Sequence, residues 1–313
     1  MKLAVWMDPL ERLKPQKDTT LLMIERAQRL GWSCVYFTTP DIFFEQGVVC
    51  AQVSSIDVRD VTQKEGIRCS MLGVRVLSDF DIILIRQDPP FNAQYMYGTY
   101  LVEWAERTGV IVSNKPASLR DVNEKMFTMH FAPCCPPTLV SSDPVRLKQF
   151  WRQHQHVVFK PLDAMGGHGV CEVRADGRNV AVIIDLLTQG GEKSIMAQRY
   201  IPEISTQGDK RILMLHGEPA PYALARIPSK DDWRGNLAAG ASGQVVPLTE
   251  QDYWLCSQIA PTLRSMGLHC VGVDVIGEYI TEINVTSPTC MREISEETGL
   301  DLAGDYLKGL SYL

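Results

Sequence analysis

The stretch that most restricts this chain lies near its C-terminus, where residues 270–276 and 280–284 read as two short apolar strands that nevertheless carry Asp274, Glu282 and Asn284. A strand facing a core tolerates little charge, because an unpaired carboxylate taken out of water is strongly penalised. Side chains alternate along a strand, so Glu282 and Asn284 share one face. A three-residue connection that pairs Ile276 with Ile280 around Gly277-Glu278 sets Asp274 opposite Glu282. The expectation is a hairpin on which two carboxylates and an amide converge. Hard oxygen donors of this kind suit Mg²⁺, which takes few carboxylates and completes its shell with phosphate oxygens and water. A solvated hairpin face is the competing reading.

Other stretches point toward phosphate. Directly after Asn284 comes Val285-Thr286-Ser287-Pro288-Thr289, whose hydroxyls and backbone amides suit anionic groups beside a metal, with Arg292 just beyond. A glycine-rich loop, Asp163-Ala164-Met165-Gly166-Gly167-His168-Gly169, follows a strand-like run at 157–160. Glycines let backbone N–H groups close over phosphate oxygens without side-chain obstruction. No Gly-Lys-Ser/Thr follows, so this is not a Walker A loop, and by itself it reads equally as a hairpin connection. Lys160 ends the preceding strand, where an ammonium meets phosphate charge, and Lys125 precedes the same region. Arg211 and Arg226 fall on adjacent strands, 210–215 and 220–226, joined through His216-Gly217-Glu218-Pro219. Guanidinium groups there can clamp a transferring phosphoryl group, although two surface arginines satisfy the same spacing. The long connection 227–243, containing Arg234-Gly235-Asn236-Leu237-Ala238-Ala239-Gly240, has no regular pattern, which is uncommon unless the loop covers a substrate and excludes water. The six histidines form no metal spacing and no partnership with a serine or cysteine nucleophile.

Earlier in the chain, residues 3–7 predict a buried strand, Asp18 caps a helix running to Leu30, Gly31 ends it, and 33–37 predict a second strand. After a polar, poorly patterned stretch come a third strand at 82–86, a helix over 95–107 stopped by Gly109, and a fourth strand at 110–113. This is an open α/β region with a largely parallel sheet expected. Farther on, short strands at 157–160, 170–174, 194–198, 210–215 and 220–226 imply antiparallel pairing, and a long helix over 249–266 precedes the C-terminal hairpin. The fold class is therefore α/β, becoming α+β in the C-terminal part.

Composition narrows the partners. A chain of 313 residues, 45% hydrophobic and 22% charged, is globular in character. With 31 Lys and Arg against 37 Asp and Glu and no basic cluster, nucleic acid is not an expected partner. The nine cysteines show no CxxC pair, which fits a reducing cytoplasm. The N-terminus opens into a strand-like run at 2–7 instead of a signal sequence, and no apolar run reaches the roughly 20 residues of a membrane helix.

Taken in order, Met7-Asp8-Pro9, Arg86-Gln87-Asp88-Pro89-Pro90-Phe91, Asn114-Lys115-Pro116, Leu119-Arg120-Asp121, Asn123-Glu124-Lys125, Lys160-Pro161-Leu162-Asp163, Met165-Gly166-Gly167, Met196-Ala197-Gln198, Gly208-Asp209-Lys210-Arg211, the 234–240 run and Thr281-Glu282-Ile283-Asn284-Val285-Thr286-Ser287-Pro288-Thr289 resemble the ATP-grasp superfamily, and more closely the bacterial glutathione synthetases. The resemblance runs through nearly the whole chain. It implies an open α/β substrate domain over 1–122, an ATP-grasp central subdomain with the glycine-rich loop over 123–203, and a catalytic subdomain with a lid at 227–243 over 204–313. ATP would lie between two antiparallel subdomains, with Lys125, Lys160, Met165, Gly166 and Gly167 near its phosphates. Gln198, Arg199, Tyr200 and Ile201 would meet adenine, and Asp209 the ribose. Asp274, Glu282 and Asn284 would hold Mg²⁺ or Mn²⁺. Arg211, Arg226 and Arg234 would be catalytic, while Arg86, Ser287, Thr289 and Arg292 would address the dipeptide and glycine carboxylates. The implied reaction is ATP-dependent ligation of γ-glutamylcysteine to glycine through an acyl phosphate, in a cytoplasmic homo-oligomer, a tetramer. His168 and Arg199 depart from the family pattern. The alternatives are another ATP-grasp carboxylate–amine ligase and a non-catalytic ATP-binding regulatory module.

Overall fold

A computed structural model describes residues 1–60, 66–229, 232, 234–235 and 240–313. The first sheet has seven strands: β1 (Lys2–Met7), β2 (Ser33–Phe37), β3 (Ile42–Glu45), β4 (Val48–Val58), β5 (Ile67–Val76), β6 (Ile82–Arg86) and β7 (Ile111–Ser113). β1 and β6 lie at its centre and read as unbroken apolar runs because helices and neighbouring layers cover both faces. α1 (Thr19–Arg29) starts where Asp18 accepts a 2.7 Å hydrogen bond from the Leu21 N–H, so the expected cap is present. α2 (Ala93–Glu106) starts at Asn92, whose side chain caps the Gln94 and Tyr95 N–H groups, and α3 (Pro116–Asp121) follows β7.

The sheet corrects one expectation. β2, β1, β6 and β7 pair in parallel as the α/β reading requires, but β3, β4 and β5 add an antiparallel arm. That arm occupies the poorly patterned stretch. β5 is a mostly exposed edge strand, so burial never imposed the apolar alternation by which strands are read.

The second sheet holds β8 (Thr138–Ser141), β9 (Val157–Pro161), β10 (Cys171–Val173) and β11 (Ile195–Arg199) in the antiparallel order β10-β9-β11-β8. α4 (Pro144–His154) and α5 (Val180–Thr188) pack on one face and close a small core around Leu147, Phe159, Ile184 and Ile195. After the short α6 (Ile204–Gln207), the third sheet contains β12 (Asp209–Leu215), β13 (Glu218–Ile227), β14 (Ser242–Pro247), β15 (Cys270–Ile276) and β16 (Tyr279–Asn284), antiparallel in the order β14-β13-β12-β15-β16. α7 (Glu250–Ser265) precedes β15, and α8 (Met291–Thr298) and α9 (Leu302–Leu310) end the chain.

Unlike the second sheet, the third shares its cores with the first. One cluster runs from Trp6 and Ile83 through Phe127 and Phe131 to Val273 and Ile283; another joins α1 to α8 and α9. Asn114 pins the junction: its side-chain amide donates to the Cys270 and Val285 carbonyls at 2.8 and 2.7 Å and accepts from the Cys270 N–H at 2.8 Å. A buried amide satisfied on both sides ties the end of β7 to β15 in one register.

Candidate active site

A cavity of about 470 Å³ opens between the second and third sheets and is lined as well by residues of the segments at 14–17 and 287–293. The C-terminal hairpin brings its three polar side chains to this cavity, by a route that differs in detail from the sequence expectation. Ile276 pairs with Tyr279, not Ile280, so the turn has two residues. An uninterrupted ladder would then set Asp274 against Thr281. The register shifts between Asp274 and Val275, which restores Asp274 opposite Glu282. A bulge re-aims a side chain in this way where function needs it.

Asp274 is 4% exposed and held by two guanidinium groups. Arg211 Nε and Nη2 donate to its two oxygens at 2.5 and 2.9 Å, and Arg226 Nη2 lies 3.1 Å from Oδ2. Asn284 Nδ2 donates to the same Oδ2 at 3.2 Å. Burial opposes the charge, but the two arginines outweigh it and hold the carboxyl well below the usual range. Arg226 also reaches Asp209 Oδ2 at 2.6 Å, while among the described residues Asp209 Oδ1 is buried without a hydrogen-bond partner. Burial, reinforced by the Asp274 charge, raises the Asp209 carboxyl despite Arg226.

The opposite wall is cationic. Lys160 Nζ donates to Gln198 Oε1 at 2.6 Å, and Gln198 Nε2 in turn donates to Thr138 Oγ1 at 3.1 Å. Burial pushes the Lys160 ammonium below its ordinary range, partly offset by Glu282. Lys125 bridges the two sheets, donating to the Ala164 carbonyl at 2.6 Å and to Glu282 Oε1 at 3.0 Å. Arg234 donates to Gly167 O at 3.0 Å and pairs with Asp232, so the connection after β13 touches the glycine-rich loop. Residues 230, 231, 233 and 236–239 of the expected lid lie outside the described residues.

Lys125, Lys160, Met165, Gly166, Gly167, Gln198, Arg199, Tyr200, Ile201, Asp209, Arg211, Arg226, Arg234, Asp274, Glu282, Asn284, Ser287 and Thr289 all line this one cavity. Two expected substrate residues do not. Arg86 is buried behind the wall, with Nε on Thr20 Oγ1 at 3.1 Å and Nη2 on the Pro288 carbonyl at 2.9 Å. Arg292 is likewise buried, bonded to the Pro15 carbonyl and to Glu296. Both arginines hold chain segments in place instead of facing the cavity, because isolated sequence cannot show which side of a strand end or helix a long side chain takes. Glu124 is a lining residue that sequence reasoning passed over, although it stands in the quoted Asn123-Glu124-Lys125 motif. Its Oε1 accepts from the Val285 and Thr286 N–H groups and the Thr286 hydroxyl, fixing the strand exit beside Asn284. His156, dismissed on spacing, stacks on Tyr200 with ring centroids 3.8 Å apart and an interplanar angle of 11°.

Two family models match the chain, the prokaryotic glutathione synthetase N-terminal domain over residues 1–120 and the prokaryotic glutathione synthetase ATP-grasp domain over 124–299. The chain belongs to the prokaryotic glutathione synthetase family. Members so similar include the glutathione synthetase of Pseudomonas aeruginosa, 46% identical over 95% of this chain and 93% of that one, and that of Escherichia coli, 44% identical over 97% and 96%. Among solved structures, a D-cycloserine synthetase superposes with a TM-score of 0.71 at 15% identity, covering 99% of this chain and 100% of its own. An ATP-grasp ligase solved with a minimal precursor, Mg and ADP gives 0.62 at 14% identity over 99% and 97%. These two show the shared fold. As a family member the chain is an ATP-dependent ligase with glutathione synthetase function.

Among the described residues no group of His, Cys, Asp and Glu large enough to cage a metal by itself occurs. Two carboxylates with one amide, all on the cavity wall, instead fit a hard cation that draws its remaining ligands from phosphate and water.

Proposed function

We propose that this cavity joins γ-glutamylcysteine to glycine at the expense of ATP, with residues 1–122, 123–203 and 204–313 acting as substrate, central and catalytic units. The observation that carries the reading is the confrontation of Arg211, Arg226 and the Asp274–Glu282–Asn284 set with Lys160 and the glycine-rich loop across one cavity. A carboxylate resists amine attack because its charge and resonance oppose it, so it must first be activated. The cysteinyl carboxylate oxygen attacks the γ-phosphorus of ATP, the bond to the β,γ-bridging oxygen breaks, and ADP leaves an acyl phosphate. Glycine's amine then attacks the acyl carbon, loses a proton and expels inorganic phosphate, giving glutathione. Arg211 and Arg226 would spread the charge on the transferring phosphoryl group and on the oxyanion of the second step.

Asp274, Glu282 and Asn284 would hold Mg²⁺ or Mn²⁺, which when bound neutralises phosphate charge. Lys160 and Lys125 bring cationic charge from the other wall, and backbone N–H groups at Gly166 and Gly167 suit phosphate oxygens. The unpartnered Asp209 Oδ1 suits a hydroxyl donor such as a ribose. Gln198, Arg199, Tyr200 and Ile201 form the wall that would take adenine.

The test is direct. Purified protein with ATP, Mg²⁺, γ-glutamylcysteine and glycine should yield glutathione, ADP and phosphate by mass spectrometry. Ligation confined to D-alanine pairs or glutamate acceptors would replace this reading with another ATP-grasp ligase, and ATP binding without product across the panel would leave a regulatory module. The nine cysteines are all free thiols, and no described helix is long and apolar enough to cross a membrane, which supports a cytoplasmic site of action. A homo-oligomer, a tetramer by family resemblance, would bury the exposed Phe44 of β3 and Tyr97, Tyr100 and Trp104 of α2; light scattering reads this out.

A further inference from the structure

Two histidines separated by 53 residues meet at one end of the third sheet. His216 opens the two-residue turn after β12, and His269 immediately precedes β15. The neighbouring pair Leu215–Cys270 lies four steps along the strands from Arg211–Asp274, or roughly 13 Å at about 3.3 Å per residue. The two Nδ1 atoms are 3.4 Å apart. Neither ring takes part in the ligation chemistry, and strand pairing, which their spacing in the sequence does not reveal, brings them together.

The seat of His216 is specific. Its backbone takes φ 54°, in the left-handed region that histidine enters more readily than bulky residues do, and Gly217 completes the turn at φ 80°. The ring lies against α9, where a Cβ at Gly309 would collide with it. Its Nε2 meets the Tyr306 carbonyl at 2.9 Å. A carbonyl only accepts, so Nε2 carries the hydrogen, and the lone pair of neutral His216 is left on Nδ1, toward His269. A backbone carbonyl on the remote N–H is the usual companion of a metal-binding imidazole, because it fixes the tautomer and raises the basicity of the other nitrogen. Burial, reinforced by His216, keeps His269 neutral, its pKa pushed down to about 4. The cations nearby are engaged elsewhere: Arg264 with the Gly217 carbonyl and Glu218 Oε1, each at 3.0 Å, and Lys115 with Glu106 at 4.0 Å.

We propose that His216 and His269 form a second metal site, a two-imidazole site for a divalent transition metal of the zinc class, bound through both Nδ1 atoms. Two nitrogens on one tetrahedral zinc at about 2.0–2.1 Å stand roughly 3.3–3.4 Å apart, which is the spacing these two already have. On binding, His269 moves its hydrogen from Nδ1 to Nε2, a change of tautomer with no net proton release. Among the described residues no third His, Cys, Asp or Glu completes the set, so water fills the other positions. The site differs in kind from Asp274, Glu282 and Asn284, because imidazole donors select Zn²⁺, Co²⁺, Ni²⁺ or Cu²⁺ over Mg²⁺. A bound ion ties the turn after β12 to the start of β15, beside α9, and stabilises the third sheet without entering the reaction.

Co²⁺ is the probe, added to the full chain with Mg²⁺ in excess so that the oxygen-lined site is occupied. His216→Asn keeps a residue suited to the left-handed turn, and His269→Gln removes the other ring. Calorimetry should find one equivalent of Co²⁺ on the wild type that each variant binds about tenfold or more weakly. Co²⁺ should also raise the Tm of the wild type and leave that of both variants unmoved, while basal turnover stays the same in all three proteins. In the wild type the His216 Nε2–H, held on the Tyr306 carbonyl, should give a hyperfine-shifted proton resonance. That signal needs no variant, so it decides the question even where a variant fails to fold. Undiminished binding by both variants, absence of the shifted resonance, or a cobalt–thiolate charge-transfer band, which would put the metal on a cysteine, overturns the site.

Discussion

The two antiparallel sheets face each other across one cavity, yet they are held in the molecule in different ways. The second sheet packs around a core of its own, Leu147, Val157, Phe159, Val173, Ile184, Ile195 and Ala197. Among the described residues the third has no separate core; its apolar face merges with the first sheet through Trp6, Ile83, Phe127 and Val273, and Asn114 locks the junction. The wall carrying the carboxylates and arginines is therefore fixed to the first sheet. The wall carrying Lys160, Gln198 and the glycine-rich loop is a separately packed body, joined across the cavity by polar links such as Lys125 to Glu282 and Arg234 to Gly167. Polar links exchange readily with a ligand, whereas a shared core does not, so nucleotide entry should be accommodated by the second sheet.

The sharpest way to break this contrast is Asp274→Asn. It leaves Arg211 and Arg226 buried beside a neutral amide, so stability should fall by roughly 3–5 kcal/mol and turnover by about a hundredfold or more, read by urea unfolding and product formation. The same variant carries a pH signature. The folded Asp274 carboxyl lies below its unfolded value, so its stabilisation is present above that value and is lost as pH falls through the folded one. Stability of the wild type should drop as acid approaches and passes about pH 4, and Asp274→Asn should flatten that drop. An unchanged slope would mean the arginines do not hold the charge.

An effect confined to one sheet, without the loss of turnover, should come from Phe159→Ala, which opens a cavity in the second core. The cost is about 3–5 kcal/mol locally, and amide exchange should accelerate through 138–199 while 209–284 keep their protection. Equal acceleration in both sheets would show that they unfold as one unit. The smallest effect is expected for His156→Ala, which removes the ring stacked on Tyr200; the KM for ATP should rise a few-fold with kcat unchanged, and a fall in kcat alone would remove His156 from nucleotide binding.

Legibility followed burial. β1 and β6 were readable because both faces are covered and the sequence runs apolar without interruption. β5 was not, because its side chains stay in water and selection for alternation is absent. α4 and α5 escaped notice for a related reason, since they cover only a small core and few of their positions are buried. At the site, Asp274 and Glu282 stood out as charges inside apolar strands, and their facing arrangement followed from strand periodicity. The bulge that produces it did not, since no feature of the local residue pattern marks the register shift between Asp274 and Val275.

By itself the sequence determined the reaction class, through the ordered motifs from Met7-Asp8-Pro9 to Thr289, and it determined which charges must be paired, because apolar strands cannot bury them otherwise. Tertiary structure alone decided which arginines face the cavity. Arg211 and Arg226 turn inward onto carboxylates, while Arg86 and Arg292 are spent on backbone carbonyls and neighbouring side chains that bind the 14–20 and 287–293 segments together. A guanidinium on a long flexible stem can satisfy its donors in several directions, and only the packed arrangement of strands and helix ends removes that freedom.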